Sequence, residues 1–341
     1  MRYFSETTNI TNLRMGRGAA KGIGKELGRF VVTTMEIPWK VTAHHLGKDP
    51  QAVIQVESVE ESWIDHQIAQ LDDFDTVVGI GGGMAIDMAK YISWKCQKRL
   101  VSIPTILSVD AFTTPAAGIR RDHEVFYVGS ASPDPLVIDY DILRTAPPEL
   151  NIAGAGDLLS IHTACFDWQH AHSKGKSEYP FDPQAIEQGQ ALLSFIYDHL
   201  GAIRQNSDHG LRAIVEGYIS LNTICLPRDH FRIEEGSEHY LFYELEERLQ
   251  RPFIHGQIIG LGLYLMSRLQ NNKPDFITQV MNEVGLDFHP KTMGIQRVDL
   301  ENSLLNLKKY VSTRPQLWYT YIDDSSITPE WVAENLSNLK F

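Results

Sequence analysis

Cysteine is scarce in this chain. Cys96, Cys165 and Cys225 are scattered and odd in number, which excludes a disulfide framework and a Cys-x-x-Cys metal knuckle and fits a reducing cytoplasm. No apolar stretch reaches the length of about 18 residues that a membrane span needs. The opening "MRYFSETTNI" lacks the apolar h-region of a secretory signal, so none is expected. Positive charge is also short: 31 Lys and Arg stand against 43 Asp and Glu, a net charge of -12. That balance argues against nucleic acid and anionic membrane as partners. Internal repeats and low-complexity tracts are missing too. What remains is 341 residues, 43% hydrophobic and 22% charged, which suits a globular protein of two ordinary domains or one large one.

The first 147 residues alternate strand and helix signals. "RFVVTTME" (29–36), "FDTVVGIG" (74–81), "RLVSIPT" (99–105) and "PLVIDY" (135–140) are apolar without strict alternation, the pattern of strands buried on both faces. Between the first two, residues 58–71 place Ile64, Ile68 and Leu71 on one helical face. This order predicts a mostly parallel sheet covered by helices. "HEVFYVGS" (123–130) alternates better and suits half of an antiparallel hairpin. At Pro147 and Pro148 the rhythm changes, and a domain boundary is placed there, giving 1–147 and 148–341. Beyond it, helix-period segments dominate and no convincing strand follows. The expected fold class is therefore an α/β N-terminal domain of Rossmann-like type followed by an all-α C-terminal domain.

The stretch "VVGIGGGMAIDMAK" (77–90) joins a buried strand to a helix through glycines. Helix N-termini present free N–H groups and a positive dipole end, and glycine lets the backbone approach a pyrophosphate. A strand-to-helix turn needing positive φ would use the same residues. Met84, Met88 and Ile92 share one face of the helix, flanked by Ala85 and Ala89, while Asp87 and Lys90 are expected to be structural. The next loop, "ILSVDAFTTPAAG", gathers Ser108, Asp110, Thr113 and Thr114 soon after Thr105. In an open parallel sheet, ligands bind beyond the carboxyl ends of the strands, where both loops should lie. Hydroxyls and a carboxylate there suit ribose, phosphate or a substrate hydroxyl, and they equally suit a capped turn.

In the helical half, Asp157 follows Gly156 and can be a helix N-cap. His239 and His255 are too far apart for one helix face but suit two neighbouring helices joined by a short loop. One carboxylate and two imidazoles form a three-ligand set with an open position, as in catalytic zinc or iron(II) sites. Such a site polarises a hydroxyl or carbonyl. Satisfied polar histidines would look the same in sequence. The remaining histidines are expected to be surface or structural: His162, His170 and His172 along one helix, His44 and His45 in a loop, and His123, His209 and His289 among polar residues.

Taken in order, these segments resemble the superfamily of iron-containing alcohol dehydrogenases and dehydroquinate synthases, over about residues 14–265. "GIGGGMAIDMAK" resembles its GGGxxxDxAK loop, and "SIPTILSVDAFTTP" its PTxxSxDGxxSP segment. "AGAGDLLSIHTACFDWQHAH" resembles its AGxGDxxSxxTAxxDWxLAH helix, the most specific match. "RIEEGSEHYLFYELE" and "HGQIIGLG" resemble its RPxSGSEHxFxHxLD and HGEQxGxG segments. The motifs are nearest to the sn-glycerol-1-phosphate dehydrogenases, with glycerol dehydrogenases close behind. The resemblance implies a dehydroquinate synthase-like fold with the active site in the cleft between its two domains. It implies metal ligands at Asp157, His239 and His255, and a substrate-contacting aspartate at Asp110. It puts Gly81, Gly82 and Gly83 on the pyrophosphate loop, and Thr105, Ser108 and Thr114 on hydroxyls lining the cofactor.

Several positions depart from the family pattern. Met84 replaces a common basic residue, Ala111 a glycine, and Gln257 a glutamate, and "EEGSEH" lacks one serine. Thr34 and Met35 stand where glycerol dehydrogenases carry an NAD-selecting aspartate, so the resemblance leaves the cofactor as NAD or NADP. The implied activity is metal-dependent, NAD(P)-linked oxidoreduction of a small phosphorylated polyol or ketone. Zn2+ is the foremost ion, with Fe2+ and Ni2+ as others, in a homo-oligomer. Arg232 suits a substrate phosphate, or a surface ion pair with Glu234 or Glu235. The alternatives are a glycerol dehydrogenase-like activity on unphosphorylated polyols, a dehydroquinate synthase-like cyclase, or a nucleotide-binding protein without catalysis. Asp157 in place of that cyclase's glutamate ligand, and the lack of a Lys-rich pocket segment, argue against the cyclase.

Overall fold

The computed structural model describes residues 8–341, and the first seven residues of the opening stretch lie outside it. The chain divides into two compact units, Met1–Asn151 and Ile152–Phe341.

The described residues of the first unit hold eight strands: β1 (Leu13–Gly16), β2 (Phe30–Thr34), β3 (Ala52–Gln55), β4 (Thr76–Gly81), β5 (Arg99–Pro104), β6 (Ala117–Arg121), β7 (Glu124–Val128) and β8 (Leu136–Asp139). Six form a parallel sheet in the order β1-β8-β5-β4-β2-β3. Alternate residues point to opposite faces of a strand. Val31 and Val77 enter one core with Ile64, Met88, Ala89 and Ile92. Val32, Val78, Ile80 and Val101 enter the other with Leu27 and Leu46. Two buried faces account for the unbroken apolar runs in the sequence. The helices of this unit are α1 (Glu36–Leu46), α2 (Glu61–Ile68), α3 (Gly83–Cys96) and α4 (Tyr140–Leu143). The alternating stretch near residue 126 is β7, which pairs with β6 in a separate antiparallel hairpin. β1, β3 and β6 were not placed from the sequence: β1 and β3 are the sheet's two edge strands and lack a run buried on both faces, and β6, the partner of the expected hairpin half, carries two arginines. His44 and His45 lie in the last turn of α1 rather than in a loop, because that helix has little amphipathic pattern to announce it.

Connections from β2 and β4 leave in opposite directions across the sheet, so the adjacent pair β2/β4 is the topological switch point. The carboxyl ends of these strands are Thr34 and Gly81.

The second unit is helical, and its described residues contain no strand. It comprises most of α5 (Pro148–Leu159), then α6 (Ile161–Ser173), α7 (Pro183–Tyr197), α8 (Leu200–Arg204), α9 (Asp208–Cys225), α10 (Ser237–Leu249), α11 (His255–Leu269), α12 (Pro274–Val284), α13 (Arg297–Ser312), α14 (Tyr321–Asp324) and α15 (Pro329–Leu336). Among the described residues, no helix is long and apolar enough to cross a membrane.

Candidate metal centre and glycine turn

In the first unit, β4 ends at Gly81 and α3 begins at Gly83, with Gly82 between them as the N-cap residue. Gly81 has φ +152°, and a Cβ there would fall 2.8 Å from the Ala85 Cβ. Glycine is therefore required for the turn itself. No side chain caps the helix, and its first turn carries no acidic residue. The leading N–H groups of α3 can thus accept an external anion.

The hydroxyl-rich loop is tied to this turn. Thr105 N donates to Gly81 O at 3.0 Å. Thr105 and Ser108 are buried, and Asp110 opens a short 3-10 turn in a half-buried position. Lys90 of α3 is 1% exposed. Its Nζ pairs with Asp87 Oδ1 at 2.8 Å and donates to the carbonyls of Thr114 and Ala116. The expected structural role of Asp87 and Lys90 thus becomes specific: they clamp the loop that carries Thr114.

The second unit brings together Asp157, His239 and His255. Asp157 is not an N-cap. It lies inside α5, near the C-terminal end of that helix, because the helix already starts at Pro148. His239 is in the first turn of α10, and His255 is the first residue of α11, with only residues 250–254 between the two helices. His255 Nε2 lies 3.1 Å and His239 Nε2 3.7 Å from Asp157 Oδ1. One ligand atom from each residue fits within a 4.8 Å cluster. The Phe242 ring meets His255 edge to face, centroids 4.9 Å apart, and restricts its orientation.

The electrostatics favour a cation. Asp157 Oδ1 is buried and accepts no hydrogen bond, while Tyr218 of α9 donates to Oδ2 at 3.1 Å. Burial pushes the Asp157 carboxyl up, but the His255 and His239 imidazoles and the Tyr218 hydroxyl outweigh it, and the group lies below the ordinary carboxylate value. Burial pushes His239 down, yet the hydrogen bond and charge of Glu238, with the charges of Glu235 and Asp157, raise it to about 9. The field that holds a proton on this imidazole also suits a divalent ion. An orphaned carboxylate oxygen facing two Nε2 atoms is a donor set that fits a metal of zinc or iron(II) type.

Sequence reasoning missed Glu238 and Tyr218. A place next to His239 in "SEH" gave a weak hint of the first, and nothing in "EGYISLN" marked the second. Arg232 is not at the surface as the ion-pair reading required. It is 0% exposed, its Nη2 donates to Tyr319 O at 2.7 Å, and its guanidinium lies 5.3 Å from the Trp318 ring centroid. Glu178 Oε2 lies 3.8 Å from the same Nη2.

The comparisons with known proteins follow the same lines. The iron-containing alcohol dehydrogenase family matches residues 30–147. The glycerol-1-phosphate dehydrogenase (NAD(P)+) of Aeropyrum pernix is 30% identical over 263 residues, 77% of this chain and 73% of that protein. The enzyme of the same name from Sulfolobus acidocaldarius is 31% identical over 278 residues, 81% and 75% of the two chains. This chain belongs to the iron-containing alcohol dehydrogenase family. Its fold is that of glycerol dehydrogenase from Schizosaccharomyces pombe, with a TM-score of 0.71 at 19% identity, covering 96% of this chain and 88% of the other.

Proposed function

We propose that the chain is a metal-dependent, NAD(P)-linked dehydrogenase that interconverts dihydroxyacetone phosphate and glycerol 1-phosphate. The observation that carries this reading is the convergence of Asp157 Oδ1 with two Nε2 atoms in a buried, negatively biased site. The names of the relatives, glycerol-1-phosphate dehydrogenase (NAD(P)+), supply the substrate and cofactor class.

In this reading the unit Met1–Asn151 binds the cofactor and the unit Ile152–Phe341 binds the ion and the substrate. Asp157, His239 and His255 hold the ion. A bound divalent ion supplies Lewis-acid polarisation of the substrate carbonyl, and the nicotinamide supplies the hydride. The chain's own part is position and field. The Gly81–Gly83 turn offers helix N–H groups to the pyrophosphate, and Thr105, Ser108 and Thr114 line the cofactor. Asp110 orients a substrate hydroxyl. The donor set, one oxygen and two nitrogens, favours zinc, with iron(II) or nickel(II) as substitutes. Use of both NAD and NADP, a homo-oligomeric state and a cytoplasmic setting belong to the same reading.

The test follows NADH and NADPH oxidation by the zinc-loaded protein, with dihydroxyacetone phosphate and with dihydroxyacetone. Turnover on the phosphate alone supports the proposal. Turnover on dihydroxyacetone alone moves the chain to a glycerol dehydrogenase activity, and turnover on neither overturns both.

A further inference from the structure

His239 is held from behind by its own chain neighbour. Glu238 is 0% exposed, and its Oε1 lies 3.0 Å from His239 Nδ1. Adjacent helix residues do not ordinarily face each other. Here the geometry arises because Glu238 is in the first turn of α10 and curls back over the helix start. The same Oε1 accepts from the N–H of Gly236, the N-cap residue, at 2.7 Å. The other oxygen, Oε2, accepts from Thr163 Oγ1 of α6 at 2.7 Å. A carboxylate at a helix N-terminus is also favoured by the dipole. Two donors besides His239, the Gly236 N–H and the Thr163 hydroxyl, therefore fix this side chain, so its orientation does not depend on His239 alone.

A carboxylate only accepts hydrogen bonds, so the proton on His239 facing it belongs to Nδ1. That assigns the other nitrogen: Nε2, the atom that faces Asp157 Oδ1, carries the lone pair when the imidazole is neutral. A ring flip would break the Nδ1 bond and turn the lone pair away from the site. Glu238 also adds a buried negative charge directly behind the imidazole.

We propose that Glu238 is a positioning residue for the metal centre. It sets the tautomer and ring orientation of His239 and strengthens cation binding without touching the ion. The inference rests on the reading of Asp157, His239 and His255 as metal ligands. Partners in this position tune metal affinity by about 10- to 100-fold.

The probe is cobalt(II) binding to the full chain, read by its visible absorption and by competition with a chelator. Glu238→Gln keeps the shape and removes the charge. We expect it to bind cobalt about 10- to 100-fold more weakly and with an altered spectrum, while NADH binding stays near that of the native protein. Cobalt affinity within twofold of native would overturn the proposal. A native protein that does not bind cobalt, or a His255→Ala variant that binds it with undiminished affinity, would instead remove the metal reading, and the proposal with it. If Glu238→Gln does not fold, Thr163→Val takes its place, since it removes one anchor of the carboxylate and leaves its charge. A several-fold loss of cobalt affinity then supports the proposal, and an unchanged affinity contradicts it.

Discussion

Gly156 and Gly256 bring the backbones of α5 and α11 into direct contact: a Cβ on Gly156 would fall 2.1 Å from the Gly256 carbonyl oxygen. The residues that follow and precede them are Asp157 and His255. The glycine contact is thus what allows this carboxylate and imidazole to meet at 3.1 Å. Gly156→Ala cannot be absorbed by a side chain, since the clash is with backbone. We expect it to lower stability by at least about 2 kcal/mol and to abolish tight cobalt binding. Denaturant unfolding and chelator competition measure the two effects, and an alanine variant native in both would contradict the assignment.

The Tyr218 hydroxyl holds Asp157 Oδ2, which leaves Oδ1 for the site. Removing a hydrogen bond to a charged group costs about 1.5–3 kcal/mol. Tyr218→Phe should therefore lose about that much stability and bind cobalt about tenfold more weakly. Unchanged cobalt affinity would show that Tyr218 plays no part in presenting the carboxylate.

Gly81→Ala is expected to act on the other unit. Its φ of +152° is strained for any side chain, and the new Cβ meets Ala85. Such strain costs of order 1–3 kcal/mol, and displacing the turn should weaken NADH binding at least tenfold. Cobalt affinity should not change. Native NADH affinity, measured by fluorescence titration, would argue against a pyrophosphate on this turn.

Asp167 gives a pH signature. It is buried in α6 and accepts from the Ser237 and Tyr321 amides at 2.8 Å each. Burial, then the Glu238 charge, push its carboxyl up to about 6, against the pull of those amides. The folded protein therefore binds this proton more tightly than the unfolded chain, whose carboxyl titrates near 4. Stability from this group is present below pH 4 and is lost as pH rises through about 6. Relative to Asp167→Asn, the native protein should lose on the order of 1–3 kcal/mol between about pH 4 and pH 7. Parallel stability curves for the two proteins, from urea titrations at each pH, would contradict this.

Much of the architecture is visible in the sequence because long elements carry a period. Valine runs buried on both faces announced β2 and β4, and Met88 and Ile92 announced the packed face of α3. The strands β1 and β3 escaped because they are the half-exposed edges of the sheet and lack a run buried on both faces, and β6 because "AGIRR" carries two arginines. At the site, the loop between α10 and α11 is short enough that His239 and His255 could be paired from spacing. Asp157 could be read as a ligand or as a helix N-cap, because glycine before aspartate also marks a helix start; the cap reading fails, since α5 already begins at Pro148. Tyr218 and Glu238 act through tertiary contacts that no local signal reports. Arg232 was open to a substrate phosphate or a surface ion pair, and only the covering residues Trp318 and Tyr319 show that it is buried, which removes the surface pair.

Asp157, His239 and His255 are proposed to hold one ion on which turnover depends. The direct measurement is metal content and dihydroxyacetone phosphate-dependent NADPH oxidation of the native protein and of His255→Ala, both purified with zinc. The metal assignment predicts about one zinc per native chain, with metal and activity lost together in the variant. A His255→Ala protein that keeps its full metal content and full rate would contradict it.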